Sequence, residues 1–209
     1  MAFSKKNISP QQLSAERRDV LLEVAAREFL GLGFRGCSID HISRVSGVSK
    51  TTIYRQYPNK EALFEAVALQ LSEGMAKLAD LPLDPAQPES CLRALADRIY
   101  QSQQEAQYKE LLRLLIAETP FMPALAQRLR AQMMERLLKT TAAFFAQLIA
   151  AGHMQHPDPL HAATTFTVLA SGSFRLLLNA GGTARDERNK LDADITLFLR
   201  GCGIIGAPM

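Results

Sequence analysis

The stretch SIDHISRVSGVSKTTIYRQY, residues 38–57, constrains the fold more than any other part of the chain. Its apolar positions Ile42, Val45, Val48 and Ile53 are spaced for two short helices crossing steeply, and Gly47 sits where the turn between them needs positive φ. Ser43 is small where the helices must approach closely. Ser49 is placed to cap the second helix, after which Ile53 and Tyr57 point inward at i and i+4. At about 100° per residue, Thr51 and Arg55 then centre the opposite face, flanked by Lys50, Thr52 and Tyr54. A face of hydroxyls, a phenol and cations suits base edges and phosphates and packs poorly against protein. The pattern is that of a helix-turn-helix whose second helix enters the major groove of DNA.

Charge follows the same division. Residues 1–63 hold ten Lys/Arg against six Asp/Glu, whereas the remaining 146 hold fourteen against fifteen. A basic first third on a near-neutral body predicts a polyanion-binding head carried by something else. With 209 residues, 47% hydrophobic and 22% charged, the chain can hold a small module beside a larger core, and its composition excludes a largely disordered or collagen-like chain. Three scattered cysteines, Cys37, Cys91 and Cys202, cannot form a disulfide framework and suit a reducing compartment. The start MAFSKKNISPQQ has no apolar core of the signal-peptide kind, and no run approaches membrane-spanning length. The expectation is a soluble, cytoplasmic protein without membrane contact.

No stretch of alternating β-branched residues bounded by turn signals occurs, so the fold class expected is all-α. Ser9-Pro10 or Ser14 opens a first helix that ends at Gly33. Helices over 38–46 and 49–57 follow, and Asn59 caps a longer one through Leu78. Three prolines in the segment from Asp80 to Pro88 mark a connector. Beyond it the periodicity predicts helices at 89–103, 104–118, 122–152, 159–179 and 185–202. The expected architecture is an N-terminal three-helix head, residues 1–60, on a larger C-terminal helical bundle, residues 61–209.

From Val24 to Leu63 the chain resembles the DNA-binding head of the TetR/AcrR family of transcriptional regulators. The resemblance runs through Ala25-Ala26-x-x-Phe29, Gly33-Phe34, Ser38-Ile39-x-x-Ile42, the run Gly47 to Tyr54, and Lys60-Glu61-x-Leu63. Ser43 and Ser46 stand where many members have alanine, and Gln56-Tyr57 where a His-Phe pair is common. The resemblance implies a DNA-contact set of Ser38, Ser49, Lys50, Thr51, Thr52, Tyr54, Arg55, Tyr57 and Lys60, with Lys60 and Ser38 on phosphates. Lys5 and Lys6 are read as solvated tail lysines.

The stretch from Leu169 to Gly201 is similar to the C-terminal region of the AefR-like subgroup, which implies a homodimer through the last two helices. The stripe Leu191, Ile195, Phe198, Leu199 and Cys202, with the small run Ala170 to Ser173, fits either that interface or internal core. The resemblance also implies an effector pocket in the body. Candidate lining residues are Tyr100, Tyr108, Leu112, Met133, Leu137, Phe144 and Phe166, a set suited to a mostly apolar or aromatic small molecule. Glu118 and Arg175 are the candidates for an internal charged partner.

His153, His156, Asp158 and His161 permit a metal site, but a surface connection with Asp158 as a helix cap is the favoured reading. No cofactor and no catalytic residue are expected: there is no phosphate-binding glycine loop, no HExxH and no nucleophile elbow. The function expected is a ligand-responsive, palindrome-binding transcriptional regulator, a repressor in most of the family. The alternatives are a helical enzyme or an interaction scaffold that keeps the head for packing.

Overall fold

The computed structural model describes residues 15–172 and 183–205, and every regular element among them is helical. The expected helix starts at Ser9 or Ser14, the tail lysines Lys5 and Lys6, and Ser173 and Arg175 lie outside the described residues. Two compact units divide the chain between Gln70 and Leu71.

The first unit holds α1 (Ala15–Gly36), α2 (Ile39–Ser46), α3 (Lys50–Gln56) and most of α4 (Lys60–Leu71). Gly33 leaves helical geometry at φ 75°, ψ 163°, so α1 kinks where the sequence places its end. The kink lets Phe34 fold back, and Phe29, Phe34 and Phe64 form one cluster with centroids 5.1–5.9 Å apart. Phe64 and its neighbours Leu63 and Val67, all buried, come from α4. That is why the unit reaches ten residues past the 60/61 boundary read from the sequence. Burying a phenylalanine ring of this kind contributes about 1.5–3 kcal/mol, so α4 belongs to the head energetically as well as spatially.

The single helix expected over 59–78 is broken. Asn59 caps α4 as predicted, its Oδ1 accepting from Ala62 N at 2.8 Å. The helix stops at Leu71, Ser72 turns at φ −95°, ψ 5°, and α5 (Glu73–Lys77) with a 3-10 turn at Leu78–Asp80 completes the segment.

The second unit continues with α6 (Pro88–Gln104), α7 (Ala106–Glu118), α8 (Pro123–Ala150), α9 (Pro159–Ser171) and α10 (Ala184–Gly201). Prolines open α6, α8 and α9 at their first turns, where a missing N–H costs no helical bond. α9 ends at Ser171 on a left-handed Gly172, and the rest of the helix expected to 179 lies outside the described residues. Its N-terminus is capped by Asp158, whose carboxylate accepts from Leu160 N and His161 N at 2.8 and 3.1 Å. α10 opens on a capping box in which Thr183 and Asp186 satisfy each other's backbone N–H.

α8 packs along α9, and α6 and α10 also pack against α9. Phe145, Phe166 and Phe198 meet within 5.5–5.9 Å at the centre. Arg93 on α6 reaches Asp192 at 2.7 Å and Thr196 at 3.1 Å on α10, and Arg188 reaches Asp97 at 2.7 Å. No helix among the described residues is long and apolar enough to cross a membrane.

Tyr108, 3% exposed, carries a testable consequence of this packing. Burial pushes its phenol from 10.0 up to about 12. As pH rises from 10 toward 12, the unfolded phenol loses its proton while the buried one keeps it, so stability falls across that window. Urea unfolding of the wild type should show this loss, with a slope of at most about 1.4 kcal/mol per pH unit from this group. Tyr108→Phe should be flatter than wild type above pH 10 and parallel to it below; identical profiles would contradict the assignment.

Candidate nucleic-acid interface

The recognition helix α3 has seven residues and is positioned by its neighbours. Ile53, fully buried, anchors it, and Gly47 at φ 70° turns the chain into it. The two serines that stand in place of alanine tighten that turn: Ser43 Oγ donates to Val48 O at 2.7 Å, and Ser46 Oγ accepts from Val48 N at 3.2 Å. Ser49 caps α3, accepting from Thr52 N at 3.2 Å and sharing a hydrogen bond with Thr52 Oγ1 at 2.8 Å. Ser38 caps α2 in the same way, with His41 N at 3.1 Å.

The remaining side chains of the expected set sort by exposure. Lys50, Thr51, Tyr54 and Arg55 are exposed on α3, and Thr52 is half-buried because its hydroxyl leans on the Ser49 cap. The i, i+3 and i+4 spacing of Thr51, Tyr54 and Arg55 puts them on one outward face, as the sequence predicts. Tyr57 lies inward, as its spacing from Ile53 predicts: it is 8% exposed, and its hydroxyl is buried without a hydrogen-bond partner among the described residues.

Lys60 is more constrained than a phosphate-binding lysine needs to be. Its Nζ donates to Phe34 O at 2.9 Å and Cys37 O at 3.0 Å, and lies 4.4 Å from the Phe34 ring centroid. These are carbonyls that the kinked end of α1 leaves open, so the ammonium acts as a cap for that helix. Of three ammonium donors, one remains for a phosphate.

Two arrangements in the head were not visible in the sequence. Asp40 on α2 pairs with Lys50 on α3 at 2.5 Å. Glu28 on α1, His41 and Arg44 form a chain: His41 Nε2 lies 2.6 Å from Glu28 Oε2, and Arg44 Nη2 lies 2.9 Å from His41 Nδ1. A guanidinium only donates, so Nδ1 accepts and Nε2 carries the proton toward Glu28. Cys37, buried beside this group, has its thiol pushed up by burial and then by Glu28.

In the body, the candidate pocket residues divide into half-buried Tyr100 and Leu112 and buried Tyr108, Met133, Leu137, Phe144 and Phe166. Phe166 belongs to the central aromatic cluster. Met133, Leu137 and Phe144 share one face of α8, and Thr141 sits among them, fully buried with its hydroxyl unpartnered. Thr167 on α9 has a second such hydroxyl. Glu118 is buried as expected of an internal charged group.

The stripe Leu191, Ile195, Phe198, Leu199 and Cys202 is 0–8% exposed within the unit itself, so it is internal core. Ala170 and Ser171 are buried as well. The exposed apolar side chains lie on the opposite faces: Leu160 and Val168 on α9 at 55% and 56%, and Leu197 on α10 at 73%. Ala193 and Gly201, one turn to either side of Leu197, are exposed and small.

Of the histidine group, His156 and His161 stack at 5.7 Å. Asp158 spends its carboxylate on the α9 cap, and its own N–H donates to His156 Nδ1 at 3.1 Å. No metal-binding cluster occurs among the described residues.

Residues 21–67 match the family model described as bacterial regulatory proteins, tetR family, and residues 90–201 match that of the AefR-like transcriptional repressor C-terminal domain. The HTH-type transcriptional regulator YhgD of Bacillus subtilis strain 168 is 33% identical over 85 residues, 40% of this chain and 44% of that protein. The HTH-type transcriptional regulator RutR of Escherichia coli K12 is 36% identical over 55 residues, 26% of each. The chain therefore matches less than half the length of these curated relatives. Among solved structures, a TetR-family regulator from Mesorhizobium loti superposes with a TM-score of 0.72 at 28% identity, covering 88% of this chain and 96% of that one. The flavonoid-responsive regulator FrrA gives 0.74 at 27% identity, covering 90% and 98%.

The Lys60 and Tyr57 environments predict opposite effects from two conservative changes. Lys60→Met should lower stability to urea by about 1–3 kcal/mol in the absence of DNA, because it removes a charged donor from two carbonyls. Tyr57→Phe should be neutral or stabilising, within about 1 kcal/mol, since its hydroxyl has no partner to lose. A stable Lys60→Met protein would contradict the capping role.

Proposed function

The chain belongs to the TetR family of transcriptional regulators, and on that premise we infer a dimeric repressor that reads a palindromic operator and releases it when a small molecule binds the body. The observation that carries this is the outward face of Thr51, Tyr54 and Arg55 on a helix whose other side is anchored by Ile53. Among the described residues no hydrogen bond or ion pair of the head uses the side chains of Thr51, Tyr54 or Arg55, and these groups are those that pair with base edges and phosphates. Thr51 and Arg55 read bases. Tyr54, Ser38 and Ser49 hold the backbone, with the third donor of Lys60 beside them. The protein acts by binding in the cytoplasm and catalyses nothing.

Two heads are brought together by the outer faces of α9 and α10, where Leu160, Val168 and Leu197 are exposed beside small residues. A palindrome whose half-sites lie about one helical turn apart, roughly 34 Å, is the matching target. The effector occupies the body near Met133, Leu137 and Phe144 of α8, with Tyr100 of α6 and Tyr108 and Leu112 of α7 as its further lining. Its scaffold is apolar or aromatic, and it carries a hydrogen-bonding group that meets the Thr141 hydroxyl. The similarity to a flavonoid-responsive regulator supports an aromatic effector class. Release follows if the effector binds better to the arrangement in which the heads are wrongly spaced. The covalent path for that change runs through α4, the break at Ser72 and α5.

Substitutions on the two faces separate these roles. Thr51→Ala and Arg55→Ala should change the preferred bases at defined half-site positions, each at a cost of about 1–3 kcal/mol on the original site. Tyr54→Ala should weaken all duplexes alike and flatten the salt dependence. Leu197→Arg should yield a folded monomer by sedimentation that no longer binds the palindrome tightly. A dimer that survives Leu197→Arg, or base preferences untouched by Thr51→Ala and Arg55→Ala, would overturn the placement.

A further inference from the structure

Asp40 stands on α2 and Lys50 opens α3, and their carboxylate and ammonium meet at 2.5 Å although the side chains remain 67% and 52% exposed. A pair this open to water adds little to stability. Its larger consequence is for what Lys50 can touch. Lys50 lies on the cationic face of α3, so any phosphate that approaches it must either displace the carboxylate or sit beside its negative charge. The chain thus places an acid against a lysine of its own DNA-facing helix.

We propose that Asp40 is a specificity-determining residue: it withholds Lys50 from featureless phosphate backbone and, at the operator, joins it in reading a G·C pair. This rests on the DNA-binding reading above. In the major groove, guanine O6 and N7 accept from an ammonium, while cytosine N4 donates to a carboxylate. Asp40 engages Lys50 through Oδ2, which leaves Oδ1 with acceptor capacity for that amino group. A G·C pair therefore satisfies both residues without separating them. A backbone phosphate offers Lys50 a second anion and offers Asp40 only repulsion. The acid costs affinity everywhere and costs least at the correct base pair, which is how discrimination is built from a repulsive element.

The test uses the full chain with Asp40→Asn, a near-isosteric change that removes the charge. Binding to a random-sequence duplex is measured by fluorescence anisotropy at several salt concentrations. Asp40→Asn should bind this duplex about threefold to tenfold more tightly than wild type. Its salt dependence should steepen by about one unit per head, because the freed lysine neutralises one further phosphate. Adding Lys50→Gln to Asp40→Asn should remove most of the gain. In selection from a random pool, wild type should enrich a G·C pair at one position per half-site, and Asp40→Asn should lose that enrichment. Unchanged or weaker random-duplex binding by Asp40→Asn overturns the proposal while leaving the DNA-binding reading intact. A gain that persists in full without Lys50 also overturns it. Failure of wild type to bind any duplex overturns both.

Discussion

A seven-residue helix has no stability of its own, because nucleation costs more than so few hydrogen bonds return. Everything that α3 can do therefore depends on what holds it. Ile53 fixes it from below, the Ser49 cap fixes its first turn, and the Gly47 turn fixes its angle to α2. The same unit holds the aromatic cluster of Phe29, Phe34 and Phe64, with Lys60 closing the end of α1 against the Phe34 ring. Because the helix is held from one side only, its outward face is released from structural duty. Thr51, Tyr54 and Arg55 are thereby free to be selected for chemistry.

The head was legible in the sequence because its constraints are local. Gly47, Ser49 and the spacing of Ile42, Val48 and Ile53 act within a few residues of where they sit, so periodicity and turn chemistry locate them. What escaped was set by contacts across larger sequence gaps. Lys60 meets Phe34 and Cys37, more than twenty residues earlier, and Glu28 meets His41 across thirteen. No spacing rule announces such pairs. Tyr57 is polar by its chemistry and inward by its position, and its burial depends on neighbours that no local spacing names.

The body shows the complementary limit. Helix starts are well marked by Pro88, Pro123 and Pro159, yet the break at Ser72 is not, since Glu73–Lys77 remains good helix-forming sequence. A stripe such as Leu191, Ile195, Phe198 and Leu199 has the same periodicity whether it faces its own unit or a second copy. Only the packing of α10 on α6 and α9 shows that it faces inward, leaving Leu197 outside. The buried hydroxyls of Thr141 and Thr167 are likewise silent in sequence, because an unpaired polar atom is a property of its surroundings.

The central claim is that the face of α3 reads a symmetric DNA sequence. Selection of bound duplexes from a random pool, at about physiological salt and without added ligand, tests it most directly. The account predicts enrichment of an inverted repeat with half-site centres about one helical turn apart. Retention of duplexes that share no sequence, or no retention by a well-folded protein, would contradict it.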